Sequence, residues 1–265
     1  MLKEIPYFIE RKTENKVESK IPRNIIQTYK HNKIHPFVYN NIMEILKINE
    51  DFNYFLITDD IGIELIKKNF DQYTLDAFNK LNLGAAKGDF LRYVAIYVYG
   101  GVYLDMDSNI TISLSSFIAP KIEHLFFLDG ACNIQQWCFM SSPKNPVILK
   151  IINEMVKRIY NGERNIFLAT GPVLTTDVIY NYINESNYYN TPKIKSKTDR
   201  YDIFIKNKFG NGIILNEDDT SLNFSNKFKF TMNNYNHSML YNNEYNNDNR
   251  YIPTSNGMPT PNFYK

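Results

Sequence analysis

An α/β fold, built on one Rossmann-like, mainly parallel sheet with flanking helices, is predicted by three observations. Apolar runs of strand length alternate with amphipathic stretches of helix length. One helical stretch ends at a double glycine and turns directly into a short apolar strand. With 265 residues and 43% hydrophobic content, the chain has enough material for one well-buried domain of this kind.

The first ~20 residues, rich in Lys, Glu and Asn, read as a solvated arm, and one domain is expected over residues 21–240. Residues 21–29 read as the first strand, with Ile25 and Ile26 buried and Gln27, Thr28 and Tyr29 at its C-terminal end. An amphipathic helix is expected from Pro36 to Asn49, with Val38, Ile42, Ile45 and Leu46 on one face. A buried strand over residues 53–58 follows, and Asp59 is expected to cap the next helix, which carries Ile63, Leu65, Ile66 and Phe70. Strand and helix in this rhythm imply parallel crossovers.

The stretch from Gly84 to Asp107 organises the rest. From Ala85 to Tyr99 no proline intervenes, and Phe90, Leu91, Val94, Ala95 and Val98 share one broad face of a helix. Gly100 and Gly101 supply the backbone freedom for a stop and reversal, and Val102-Tyr103-Leu104 reads as a buried strand. Asp89 lies roughly 15 Å back from the helix end at 1.5 Å per residue. Four strand residues return about 13 Å. An antiparallel return therefore brings Asp105 level with Asp89 and Arg92. Asp105 and Asp107, two apart on an extended segment, are expected to point to the same side.

Further on, residues 108–114 read as extended chain and residues 124–129 as a strand. Residues 133–140 follow, then a proline-bearing turn and a helix from Val147 to Tyr160. Trp137 reads as core before it reads as a flat apolar platform for a ligand ring. Thr170-Gly171-Pro172 opens another helix, with proline in its preferred first turn. Residues 186–200 read as a loop, 201–205 and 212–215 as strands, and Glu217-Asp218-Asp219 as a solvated turn. The Asn- and Tyr-rich tail, 241–265, has no periodicity and reads either as disordered or as a lid.

Composition excludes several function classes. Thirty basic and 28 acidic residues are interspersed and give a net charge of +2, which offers no concentrated basic face for nucleic acid. Cys132 and Cys138 have no zinc-ligand spacing and read as free thiols of a reducing compartment. No apolar run reaches membrane-spanning length, and the N-terminus lacks a signal peptide's apolar core, so a soluble cytoplasmic protein is expected.

The convergence of Asp89, Arg92, Asp105 and Asp107 carries the chemistry. Paired carboxylates without Cys or His nearby form a hard oxygen site suited to Mg²⁺ or Mn²⁺, ions that commonly complete their shell with substrate phosphate oxygens. Beside such a site, Asp89 can accept hydrogen bonds from substrate hydroxyls and Arg92 can donate them. The bland alternatives are a chance Asp-x-Asp and a surface i,i+3 ion pair.

The block Gly-Asp-Phe-Leu-Arg-Tyr, followed by Tyr-Val-Tyr-Gly-Gly-Val-Tyr-Leu-Asp-Met-Asp, resembles the signature of glycosyltransferases with the DXD sugar-binding motif, family 32 and its relatives. The resemblance covers residues ~20–240 and implies a GT-A fold, a UDP- or GDP-sugar donor, Mn²⁺ or Mg²⁺, and retention of anomeric configuration. It places Gln27, Thr28 and Tyr29 against the nucleotide, Gln135 and Gln136 near the sugar, and Asp89 and Arg92 on sugar hydroxyls. Asp105, Asp107 and His237 become the metal ligands, with Asp105 also near the ribose. The acceptor, a glycan, protein or small molecule, is left open. So is the route to retention, by a covalent intermediate or by same-face attack. Two rivals remain: a haloacid-dehalogenase-like phosphatase using Asp105 and Asp107, with Asp218-Asp219 as its late acidic motif, and a non-catalytic nucleotide-sugar-binding protein.

Overall fold

A computed structural model describes residues 2–11, 19–110, 113–118, 120, 122–128, 133–185, 203–207, 210–216, 230–232, 251–253 and 259–261, with side chains through residue 182 apart from 109 and 128. In chain order the elements begin with β1 (Lys3–Glu4), β2 (Phe8–Ile9), β3 (Asn24–Thr28), β4 (Lys33–Ile34), α1 (Pro36–Ile48) and β5 (Asn53–Ile57). Then come α2 (Asp59–Asn69), α3 (Gln72–Lys80), α4 (Gly84–Tyr99), β6 (Gly101–Leu104), β7 (Ser108–Ile110), a 3-10 turn (Leu114–Phe117), β8 (His124–Leu128) and β9 (Cys138–Ser141). The chain continues through α5 (Pro146–Tyr160), α6 (Ile166–Ala169), α7 (Pro172–Glu185), β10 (Ile203–Asn207), β11 (Gly210–Asn216), β12 (Phe230–Met232), β13 (Tyr251–Pro253) and β14 (Pro259–Pro261).

Eight strands form the main sheet in the order β10-β11-β8-β9-β6-β3-β5-β2. The α/β expectation holds, and its parallel centre is β6-β3-β5. The sheet as a whole is mixed. β9 enters antiparallel between β6 and β8, β11 runs parallel to β8, and β10 and β2 close the edges antiparallel. From β3 the chain moves outward to β5, then crosses back through α2, α3 and α4 to land on the other side of β3 as β6. That reversal puts a topological switch point at the carboxyl ends of β3 and β6, where open α/β sheets bind ligands.

Strand alternation divides the core. Ile26, Tyr103, Phe126 and Phe139 face the layer formed by α2, α3, α4, α5 and α7. Ile25, Tyr54, Leu56, Val102, Leu104 and Met140 face the layer of α1 and the 3-10 turn. Helix α4 is buried on more than one face: Phe90, Leu91, Tyr93, Val94, Ala95 and Ile96 are all nearly inaccessible, and so are Asp89 and Arg92. Its end is fixed by two glycines at positive φ, +62° at Gly100 and +120° at Gly101. Asn24, at the start of β3, donates its amide N–H to the carbonyls of Tyr99 (3.2 Å) and Gly100 (3.3 Å), which gives the helix terminus partners.

Several expectations need correction. The N-terminal segment is not a solvated arm where it is described: Ile5 is fully buried, β1 pairs with β4, and β2 adds a short edge to the main sheet. Its first nine residues hold the apolar Ile5, Tyr7, Phe8 and Ile9, which the Lys- and Asn-rich average hides. Thr58, not Asp59, is the N-cap of α2, and the Asp59 carboxylate reaches across to Lys87 at 2.8 Å. Helix α3 was not anticipated, although Asp71 caps it by accepting from the backbone N–H and hydroxyl of Thr74. The tail contains the antiparallel pair β13 and β14. Residues 186–200, the Glu217-Asp218-Asp219 cluster, Cys132 and His237 lie outside the described residues. No helix among the described residues is long and apolar enough to cross a membrane.

His124 sits fully buried on β8, within 3.4 Å of the Asn145 amide. Burial pushes its pKa down from the ordinary 6.5 to about 4. The folded state therefore favours the neutral ring. Its contribution is complete above pH 6.5 and is lost as pH falls through about 4. Urea unfolding across this range should show His124→Phe losing less stability than the parent, by about 3 kcal/mol at the acid end. Parallel curves for the two proteins would refute the account.

Candidate functional site

The site is assembled at the switch point from one helix and two strand ends. Because α4 and β6 are joined by a glycine reversal, Arg92 comes back against the end of β6. Its Nη2 lies 2.9 Å from Asp89 Oδ1 and 3.4 Å from Asp105 Oδ1. The two acids and the base that the helix-and-strand geometry predicts to converge do converge. They are not a surface ion pair: side-chain exposure is 10% for Arg92 and 12% for Asp89, rising to 26% for Asp105, which opens toward solvent.

Each member is held by further partners. Tyr103, alternating to the α4 side of β6, donates its hydroxyl to Asp105 Oδ1 at 2.6 Å and shares a 2.9 Å hydrogen bond with Thr28 Oγ1. The Arg92 guanidinium carbon stands 5.0 Å from the Tyr103 ring centroid, a cation–π contact. On the far side, the Thr170 hydroxyl donates to Asp89 Oδ2 at 3.0 Å. Thr170 is anchored in turn by Gln136, whose amide donates to the Thr170 carbonyl (2.9 Å) and to Thr175 Oγ1 (2.8 Å).

Charge balance follows from burial. Desolvation pushes the Asp89 carboxyl up to about 6, working against Arg92 and Thr170, which favour the ionised form; Asp105 adds a smaller upward push. Desolvation opposes the charge on Arg92, but Asp105, Tyr103, Asp89 and Tyr93 act the other way and the net shift is upward, so the guanidinium stays charged. For stability, the raised Asp89 contributes fully below pH 3.8 and its contribution is lost as pH rises through about 6, opposite in sense to His124.

The Asp-x-Asp segment departs from expectation. Residues 105–107 form a turn, closed by the Ser108 N–H donating to the Asp105 carbonyl at 3.0 Å. Strand β6 stops at Leu104, so the extended alternation expected to align Asp105 with Asp107 does not apply. The Asp105 N–H donates to the Trp137 carbonyl at 2.8 Å, and its carbonyl also accepts from Gln27 Nε2 at 3.1 Å. Asp107 is half-buried in the same turn.

The proposed nucleotide and sugar contacts separate into two groups. Thr28 and Tyr29 are half-buried at the carboxyl edge of β3. Gln27 is 1% exposed, and its amide is used at both ends, donating to Asp105 O and accepting from Tyr54 OH at 3.1 Å. It supports the Asp-x-Asp turn from beneath, with both ends of its amide occupied. Gln135 and Gln136 are buried as well, and Gln136 ties the turn before α7 to the core. Trp137 packs partly buried against the α1-side core. Tyr103 and Thr170 were missed by sequence reasoning. The signals were present, as the odd residue of an apolar strand and the residue before Gly-Pro, but both patterns read as packing.

Asp105 and Asp107 supply hard oxygen donors, the chemistry that suits Mg²⁺ or Mn²⁺. No group of three or more His, Cys, Asp or Glu able to hold a metal occurs among the described residues. Two carboxylates can be enough for such an ion where waters and substrate phosphates complete the shell.

Residues 37–123 match the family described as the glycosyltransferase sugar-binding region containing the DXD motif. The chain is 27% identical over 170 residues to a mannosyl phosphorylinositol ceramide synthase of Saccharomyces cerevisiae, covering 63% of this chain and 44% of that protein. It is 30% identical over 161 residues to an uncharacterized glycosyltransferase of Acanthamoeba polyphaga mimivirus (57% of this chain, 61% of that protein). An inositol phosphoceramide mannosyltransferase of Schizosaccharomyces pombe is 26% identical over 176 residues (62% and 53%). The chain spans about half the length of these relatives. Among solved structures, the PaToxG glycosyltransferase superposes with a TM-score of 0.51 at 18% identity, over 62% of this chain and 70% of that one. That likeness supports a GT-A fold, and Asp89, Arg92, Asp105 and Asp107 all fall within the matched residues.

Proposed function

We propose that the protein is a metal-dependent, retaining glycosyltransferase that moves a hexose from a nucleotide-diphosphate sugar to a hydroxyl-bearing acceptor. The observation that carries this reading is the Arg92 guanidinium held between Asp89 and Asp105 at the switch point of a sheet carrying a DXD sugar-binding region.

In this reading Asp105 and Asp107 hold the divalent ion. His237 supplies a further ligand; it follows five residues after Met232 of β12, which pairs with Ser108. When bound, the ion would neutralise charge on the departing diphosphate. Asp89 accepts hydrogen bonds from donor-sugar hydroxyls, and Arg92 donates to them while keeping Asp89 and Asp105 apart in charge. Thr28 and Tyr29 line the nucleotide side. Tyr103 and Gln27 fix Asp105 at its side chain and its carbonyl, so that little reorganisation is needed when the donor arrives.

Release of free nucleotide from a panel of UDP- and GDP-sugars with Mn²⁺ tests the reading; mannose donors belong in it, since relatives are named mannosyltransferases. The expected result is turnover of at least one donor, abolished by chelation and lowered at least about 100-fold by Asp107→Ala. Unchanged turnover in that variant would remove the assigned role.

A further inference from the structure

The Asp89 carboxylate is gripped from two directions by different parts of the chain. Arg92 holds Oδ1 from within α4, while Thr170 holds Oδ2 from the turn between α6 and α7, 81 residues away in sequence. Thr170 is fully buried, so its hydroxyl has no water to exchange with and its bond to Asp89 is not incidental surface contact. The turn is itself anchored. Gln136 clamps the Thr170 carbonyl and Thr175 Oγ1, and Thr175 Oγ1 is 2.9 Å from the buried Tyr93 hydroxyl, one turn along α4 from Asp89. The polar chain therefore leaves α4 at Asp89, passes through Thr170, Gln136 and Thr175, and rejoins α4 at Tyr93.

We infer that Thr170 is a positioning residue for donor-sugar recognition: with its hydroxyl in place, the Asp89 carboxylate is held in one fixed orientation. This rests on the transferase reading for its consequence, although not for the contact itself. The groups facing Asp89 are Arg92 and Tyr93 of α4, Asp105 beyond β6, and Thr170; among them Thr170 is the neutral partner bonded directly to the carboxylate. A fixed orientation matters because sugar epimers differ only in the direction of a hydroxyl. A carboxylate free to rotate accepts either.

The test compares Thr170→Val with Thr170→Ser, and with Thr170→Ala measured alongside in case valine disturbs folding. Two readouts are used. The first is the titration of the Asp89 side-chain carbon by NMR, assigned through its loss in Asp89→Asn. Valine and alanine should move the midpoint up by about one pH unit, the effect of losing one hydrogen bond to a charged group, and serine should leave it in place. The second is donor kinetics. Valine and alanine should raise the donor KM about tenfold with a smaller change in kcat, and serine should restore it. An unmoved midpoint overturns the inference whatever the activity. A moved midpoint with unchanged KM and unchanged discrimination between epimeric donors overturns its functional half. If the parent protein turns over no donor, the proposed function fails while the NMR comparison still decides whether Thr170 sets the state of Asp89.

Discussion

Arg92→Met is expected to lower stability by about 3–5 kcal/mol and to abolish the proposed sugar transfer, because removing one partner of a buried ion pair leaves its counter-charge without compensation. Here two carboxylates lose their shared cation. Asp89 is left nearly inaccessible, with only Thr170 as a direct partner. Methionine fills a similar volume and keeps contact with the Tyr103 ring, so the loss reports charge and not a cavity. The double variant Asp89→Asn/Arg92→Met separates the two effects. Neutralising position 89 should recover most of the stability, since Asp105 is open enough to be hydrated, and should recover none of the transfer. Urea unfolding read beside nucleotide release makes the comparison; an Arg92→Met protein as stable as its parent would contradict the buried-cluster account.

Gly101→Ala is expected to be comparably destabilising, by about 2–6 kcal/mol. A Cβ at this position would lie 2.4 Å from the Asn24 carbonyl oxygen, a backbone atom of β3 that cannot swing aside. The residue also has φ of +120°, which a side chain rarely adopts. Positive φ costs about 1–3 kcal/mol, and forced overpacking about as much again. Together, at about 2–6 kcal/mol, they are comparable with the stability of only the least stable domains, the usual range being about 5–15 kcal/mol. Gly162 provides the control. It too has positive φ, +76°, but a Cβ there meets nothing within 4 Å, so Gly162→Ala should cost only about 1–2 kcal/mol. Similar denaturation midpoints for the two alanine variants would show that the β3–β6 contact is not the constraint.

The helix, the double glycine and the returning strand were legible because each has a local signal: uninterrupted helix formers, paired glycines and a short apolar run. Rise per residue then sufficed to bring Asp89, Arg92 and Asp105 together. The turn at 105–107 was not legible, because Leu-Asp-Met-Asp alternates as a strand does and what ends the strand is remote, the Trp137 carbonyl and the Gln27 amide. Gln27 itself reads as a strand-end polar residue open to ligand; its burial depends on Tyr54, which pairs with it only in the folded sheet. The antiparallel entry of β9 is likewise written between distant segments, and no local pattern announces it. Asp71 before α3 is the opposite case, a readable cap beside Thr74 that was passed over.

The position of β9 also bears on how the molecule comes together. Strands β3, β5 and β6 lie within one continuous stretch of sequence, and β9 adds to them after a short excursion, so this half has modest loops to close. β8 also pairs with the nearby β9, whereas β11 reaches the sheet through β8, pairing Gly212 with His124 across a long stretch of sequence. Long closures are entropically slow. The carboxylate–guanidinium centre is therefore built on the half expected to assemble first, although Thr170 and Trp137 reach it from later in the chain.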